Sequence, residues 1–354
     1  MPGRFRVGFE RIWSGVARRL GLDVDLLNSA FAVHELHPCE TIFGPPCIAL
    51  PDQYERVRAG PFGIDIATEI AQLQGAPRTI GPTMSYIVGN VVVSKGIVHG
   101  RGRRKFFNSE IAVRHPTSVW ANYERLAIRS SFLGCHFFGH WLRDDCATHL
   151  IAEQLGPIAS MPTPQWPDCS SYLSFFRQDY IELGSAYVKQ LHLFDDITQN
   201  SHKAQRFRIL RERIRVGRTP ASMSHIVYLK RGLSGKERQL VNEDEIISNL
   251  ERRGIAIVQA EALSVPELID KLFGAYIIIS VEGSQLSHAL FTLRENGGVL
   301  IIQPPDRFFN SHMDWARVMG MGYAVVVGEQ REAGFLLPLN DLLRTIDLLD
   351  SRLP

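Results

Sequence analysis

The stretch from Tyr276 to Pro305, YIIISVEGSQLSHALFTLRENGGVLIIQPP, constrains the fold more than any other part of the chain. An apolar run, Tyr276 to Val281, reads as a fully buried strand. It breaks at Glu282-Gly283-Ser284. Leu286, Ala289, Leu290 and Leu293 then recur on one face of a helix. Gly297-Gly298 ends that helix, and a second apolar run, Val299 to Ile302, stops at Pro304-Pro305. Strand, tight turn, helix and strand form the building block of a parallel sheet. The small polar turn exposes backbone N–H groups at the positive end of the helix dipole. At the carboxyl edge of a sheet, such a turn suits an anion. The same unit also occurs with no role beyond the fold.

The rest of the second half repeats the alternation. His225 to Leu229, Ile255 to Val258 and Ala324 to Val327 read as strands. Glu243 to Arg253, Pro266 to Phe273 and Asn340 to Leu349 read as helices, with Ser264 as a cap before Pro266. The half up to about Arg218 is turn-rich and aromatic. Its strand candidates are Tyr86 to Val93 and Ser94 to Val98, and its helical patterns lie at Cys146 to Leu155 and His202 to Arg215. Gly217 to Ser224 is the candidate linker.

At 354 residues the chain is long enough for two domains. Its 45% hydrophobic and 21% charged residues mark it as globular, and a net charge of +2 gives no general case for nucleic-acid binding. The cations are uneven. Arg101, Arg103, Arg104 and Lys105 form one cluster; Arg206, Arg208, Arg211, Arg213, Arg215 and Arg218 form another. Each is either a solvated face or a surface for an anion. The five cysteines have no CxxC spacing, so reduced thiols in a cytoplasmic protein are expected. No run reaches the length of a membrane span. Near the start, Phe5, Phe9, Ile12, Trp13, Val16 and Leu20 lie near one helical face, away from Arg4, Arg11, Arg18 and Arg19. That basic amphipathic segment either packs on its own domain or rests peripherally on an anionic membrane.

GxGxxG after the first strand of the second half, a Walker A loop and a GxSxG elbow are all missing. Two concentrations of chemistry remain. Lys230 and Arg231 follow the strand ending at Leu229, and a Gly/Ser-rich turn leads to Arg238, Asn242 and Glu243. Cations at a strand's carboxyl end project into the crevice where ligands of parallel sheets bind. With the turn at Gly283-Ser284 they suit a diphosphate. The second is GCHFFGHWLRDDCATHL, Gly134 to Leu150. His136, His140 and Asp144 are spaced to share a helical face, which invites a metal reading. The Glu of HExxH is missing, however, and Gly139 should interrupt the helix. No metal is expected. A plainer reading packs His140, Trp141 and Leu142 and leaves Arg143, Asp144 and Asp145 in solvent; the third is a polar cluster facing a crevice.

Here the chain resembles a family. The pattern YLKR…R…NE…VEGSQLSHALF is similar to the donor-binding half of glycosyltransferase family 61, which includes bacterial capsule-type enzymes. The strand-end motif usual there reads GxHGAxLxN. Gly283 and Leu286 match it, Glu282 stands at the usual His, Ser284 replaces Ala, and His288 replaces Asn. Gln303 stands where an acidic residue is usual. Lys230-Arg231 resembles the usual basic pair, and Arg238, Asn242 and Glu243 match R…NE. Phe138, Gly139, His140, Trp141 and Asp144 or Asp145 match an N-[YF]-[GF]-H-W-xx-[DE] signature. The resemblance covers roughly Gly134 to Pro305.

The resemblance implies an α/β protein of GT-B architecture, two Rossmann-like domains facing across a cleft. The expected division is an acceptor-side domain at 1–217, a nucleotide-sugar donor domain at 218–339, and a last helix within 340–354 packing back on the first domain. It implies a cytoplasmic, metal-independent, inverting glycosyltransferase that moves a sugar from a UDP-linked donor to a glycan or polysaccharide by single displacement. No cofactor beyond that co-substrate is implied. Lys230, Arg231, Arg238, Asn242, Gly283, Ser284, Gln285 and His288 are the expected donor-binding residues. His140, Asp144 and Glu282 are the candidate catalytic ones. Glu282 is an anion beside an anion site, so it either accepts hydrogen bonds from hydroxyls or serves as the base. The alternative class is a non-catalytic nucleotide-sugar or glycan-binding protein on the same fold.

Overall fold

The computed structural model describes residues 25–108, 120–220, 225–232 and 238–354. The basic amphipathic start and residues 221–224 of the expected linker lie outside the described residues. Strands β1 (Ala32–His37), β2 (Glu40–Ile42) and β3 (Arg78–Ile80) come first. They are followed by β4 (Thr83–Ser94), β5 (Ile97–Gly100), β6 (Arg103–Phe106), β7 (Trp120–Ile128), β8 (Ile158–Ser160), β9 (Ile181–Glu182) and β10 (Ser185–Asp195). The remainder are β11 (Ile226–Lys230), β12 (Ala256–Gln259), β13 (Ile277–Val281), β14 (Gly298–Gln303), β15 (Gly322–Val327), β16 (Glu329–Gln330) and β17 (Phe335–Leu336). Two compact units are built from interleaved pieces. One takes the described residues of Met1–Cys39 and Gly81–Thr198, the other those of Glu40–Ile80 and Gln199–Pro354.

The first unit holds an eight-stranded mixed sheet in the order β6-β5-β4-β10-β7-β8-β9, with β1 also paired to β4. The β10-β7-β8-β9 part is parallel, and the β6-β5-β4-β10 part is antiparallel. A wholly Rossmann-like first half is therefore not what forms. The reason is local. Lys95-Gly96 (φ 54° and 66°) and Arg101-Gly102 (φ 52° and 76°) make tight turns that fold β4 onto β5 and β5 onto β6. Two-residue turns with both φ positive join antiparallel neighbours, whereas parallel ones need a long crossover.

The second unit is the regular one. Its main sheet is wholly parallel, in the order β12-β11-β13-β14-β15. Counted along the chain this is 2-1-3-4-5, a doubly wound order. The chain winds one way from β11 to β12 and the other way from β13 onward. The carboxyl ends of β11 and β13 thus flank a crevice that no crossover fills. All five residues of β13 are buried, as its unbroken apolar run requires. Ser264 and Glu267 form a capping box before the helix Val265–Leu272. Leu342, Ile346 and Leu349 of the helix Leu339–Asp350 join Ile277, Ile279, Leu300 and Ile302 in the core.

The early segment Glu40–Ile80 belongs to this unit. Ile48 pairs with the outer edge of β15, its N–H to Tyr323 O and its carbonyl to Val325 N, each at 2.9 Å. Arg56 is ion-paired to Asp341 at 2.7 Å.

The basic helix Ser201–Arg215 is not simply a solvated face. Arg211 is buried, and its guanidinium donates to the carbonyls of Leu290 and Leu293 at the end of the helix Ser287–Thr292. It meets Glu295 at 3.3 Å. Burial lowers its pKa to about 10. These carbonyls have no intrahelical partner, so the guanidinium supplies their hydrogen bonds. Arg211→Met should remove them and cost about 2–4 kcal/mol of unfolding free energy in urea melts. A loss under about 0.5 kcal/mol would refute the capping role.

Candidate functional site

β11 and β13 are hydrogen-bonded neighbours, and the residues just past their carboxyl ends meet. Arg231 Nη1 donates to the carbonyl of Glu282 at 3.2 Å and to Gln285 Oε1 at 3.3 Å. Arg238 Nη1 donates to the same carbonyl at 2.7 Å. Its Nη2 lies 2.7 Å from Glu282 Oε2, an ion pair outside hydrogen-bond alignment. Gln285 Nε2 donates to Val281 O at 2.6 Å and to Ser280 Oγ at 3.1 Å, while Ser280 Oγ donates to Leu229 O at 2.6 Å. The ends of the two strands are thus tied by side chains on both. A Cβ on Gly283 would overlap Arg231 Nη1 and sit 2.9 Å from Arg238 Nη1. The absent side chain is what lets both guanidinium groups close on the turn.

Glu282 is only 3% exposed. Burial raises its pKa, and Arg238, Arg231 and Arg307 pull it back. Burial lowers Arg238 to about 10 and lowers Arg231 as well, against the pull of Glu282 and Glu261. Arg238 thus contacts the buried carboxylate, Arg231 and Arg307 add their positive charge to its surroundings, and Glu261 is a second acid acting on Arg231. The site keeps an excess of positive charge. Ser284 opens a 3₁₀ turn, Ser284–Leu286, that runs into the helix Ser287–Thr292 with no side-chain cap. The first N–H groups of such a start have no partner within the helix.

The other expected donor residues are placed elsewhere. Lys230 Nζ lies 3.6 Å from Glu243 Oε2, which Tyr228 also engages through Glu243 Oε1 at 2.7 Å. Asn242 clips the backbone of Leu337, donating to its carbonyl at 2.9 Å and accepting from its N–H at 3.1 Å. His288 is buried, and burial lowers its pKa to about 4, so it is uncharged at neutral pH. Gln303 holds a loop, donating to Phe309 O at 2.8 Å. Sequence reasoning missed Arg307 and His312, which both lie in the loop that follows β14. Their one sequence signal is position after a strand's carboxyl end, where ligand-binding loops gather.

In the first unit, Gly139 does not break the helix. Phe138–His140, a wide π turn at Trp141–Asp145, and Cys146–Ala152 follow one another with right-handed helical dihedrals at the joints. Such π turns recur at functional sites. Arg143, Asp144 and Asp145 are buried rather than solvated. Asp144 Oδ2 lies 2.7 Å from His140 Nδ1 and 3.3 Å from Arg143 Nη2. His136 stands apart, with Nδ1 2.7 Å from Phe132 O. Among the described residues no group of three or more His, Cys, Asp or Glu side chains is placed to hold a metal. Asp145 accepts from Ser131 N at 2.9 Å and Ser131 Oγ at 2.7 Å, and burial raises its pKa to about 7.

Two outcomes follow. Gly283→Ala should push the Arg231 guanidinium off the turn and weaken pyrophosphate binding at least tenfold by calorimetry, with little change in melting temperature. Unchanged binding would separate this turn from any anion site. Asp145 holds its proton more tightly in the folded than in the unfolded chain. Its stabilisation is complete below about pH 4 and is lost as pH rises through about 7. Asp145→Asn should therefore flatten the decline in unfolding free energy across that window. A pH series of denaturant melts with the wild-type slope would place the ionisation elsewhere.

A search of curated proteins gave no match. The family model described as Glycosyltransferase 61 matches residues 138–300, from the His140–Asp144 helix to β14. That match supports the assignment of the chain to the glycosyltransferase 61 family, whose members transfer sugars.

Proposed function

We propose that the protein is an inverting glycosyltransferase that uses a nucleotide-sugar donor, UDP-linked, and a glycan or polysaccharide acceptor. The observation that carries this reading is the excess of guanidinium charge at the switch point, beside the uncapped start at Ser284. A nucleoside diphosphate leaves as an anion whose charge grows in the transition state. Arg231, Arg238 and the N–H groups at Ser284 would take up that growth, each contact being worth about 2.7–4 kcal/mol of barrier. In the reaction the acceptor oxygen bonds to the anomeric carbon as the bond to the diphosphate oxygen breaks. The acceptor proton passes to a base, and one displacement inverts the centre.

His140 is the base this reading favours. Its Nδ1 lies 2.7 Å from Asp144 Oδ2 and 3.0 Å from Arg143 Nη2, and in the tautomer that donates the Nδ1 proton to Asp144 the basic nitrogen is Nε2. Glu282 suits that task less well, because its carboxylate is buried against Arg238. The expected donor residues lie in the second unit and His140 in the first. The reading places the enzyme in the cytoplasm, with its basic amphipathic start against the inner face of the membrane.

Arg231→Ala should abolish donor hydrolysis and transfer while shifting the melting temperature by no more than a few degrees. Full activity would remove Arg231 from the site. The ion pair of Glu282 with Arg238 favours a second reading, a protein that binds nucleotide sugars without turning them over. Calorimetry paired with a donor-hydrolysis assay separates the two: binding without any hydrolysis or transfer supports the second.

A further inference from the structure

We infer that His312 is a positioning residue that aims the Ser284 N–H into the anion site, resting on the diphosphate reading of that site. His312 and Trp315 are both buried. Trp315 Nε1 lies 3.1 Å from His312 Nδ1, and His312 Nε2 lies 3.1 Å from the carbonyl of Gly283. An indole nitrogen can only donate. His312 Nδ1 must therefore be the acceptor, and the ring proton sits on Nε2, from which it is donated to Gly283 O. Trp315 fixes the tautomer, and the tautomer fixes the contact.

That contact orients a peptide plane. In a trans peptide the carbonyl of Gly283 and the N–H of Ser284 point in opposite directions. The chain has no cis peptide bond among its described residues. Holding the carbonyl toward His312, and toward Leu286 N at 3.1 Å, directs the Ser284 N–H the other way. Gly283 has no side chain to hold the plane, and one there would displace the Arg231 guanidinium. An outside clamp is what the turn needs.

The clamp is itself anchored. Gln303 at the end of β14 grips Phe309 O at 2.8 Å, and Glu69 Oε2 accepts from Asn310 Nδ2 at 3.0 Å and from Asn310 N at 3.3 Å. Both hold the loop two or three residues before His312. Gln303, which departs from the acid usual in the resembling family, thus has a task here as a two-sided backbone clip. A carboxylate could not donate to Phe309 O.

The test uses the full chain, with inorganic pyrophosphate and UDP as probes. Nitrogen NMR of the wild type should show His312 protonated at Nε2 and bare at Nδ1. His312→Ala should weaken both probes about tenfold and lower kcat for bound donor by at least about tenfold, because the Ser284 N–H would meet charge that grows in the transition state. His312→Gln, whose amide can donate to Gly283 O, should recover most of the binding. Trp315→Phe keeps the ring but frees the tautomer, and should give an intermediate loss at an unchanged fold by circular dichroism. Wild-type affinity in His312→Ala, no recovery in His312→Gln, or a proton on Nδ1 would overturn the positioning role alone. No binding of either probe by the wild type would overturn the donor reading and this role together, even with the expected tautomer.

Discussion

The site in the second unit depends on one buried charge balance, the carboxylate of Glu282 among Arg231, Arg238 and Arg307. Guanidinium groups partly withdrawn from water are costly unless something accepts their hydrogen bonds. Glu282 offers two acceptors of different kinds. Its carbonyl takes both Arg231 and Arg238, and its side chain lies against Arg238. The acid that reads in the sequence as an obstacle to anion binding thus keeps the cations in place. Glu282 and Glu261 together do not neutralise three guanidinium groups, and on the proposed reading the remaining charge serves the donor.

Around that balance the architecture has little freedom. The 2-1-3-4-5 strand order opens the crevice, and the missing side chain at Gly283 lets the arginines close on its floor. Side chains from far along the chain complete it. Glu69, from the segment that precedes β3, steadies the loop carrying His312, and Gln303 steadies it from β14. On the proposed reading, these contacts set the groups in place before a donor arrives, as electrostatic stabilisation of a transition state requires.

The first unit reaches its polar cluster by a different route. Two tight turns fold part of its sheet antiparallel, and a π turn carries Arg143, Asp144 and Asp145 all inward. Burial makes the contact of His140 with Asp144 orienting rather than incidental, since buried polar groups must be paired with one another. The same burial holds the Asp145 carboxyl near neutrality.

The sequence by itself determined the second unit's strand and helix alternation. Strands covered on both faces must be apolar throughout, and helices packed on one face must be apolar at helical spacing, so burial writes itself into periodicity. It also determined that Arg231, Gly283 and Ser284 lie at strand ends, because polar turns interrupt those runs. Only the tertiary structure decided the rest. The antiparallel half of the first sheet hung on dihedrals at Lys95-Gly96 and Arg101-Gly102, and neither pair is a strong hairpin signal. Lys230 and Asn242 share the motif with Arg231 and Arg238, yet they turn to Glu243 and Leu337. Arg307, His312 and Glu69 enter through contacts between residues distant in the chain, and no local pattern encodes which side chain a distant one will meet.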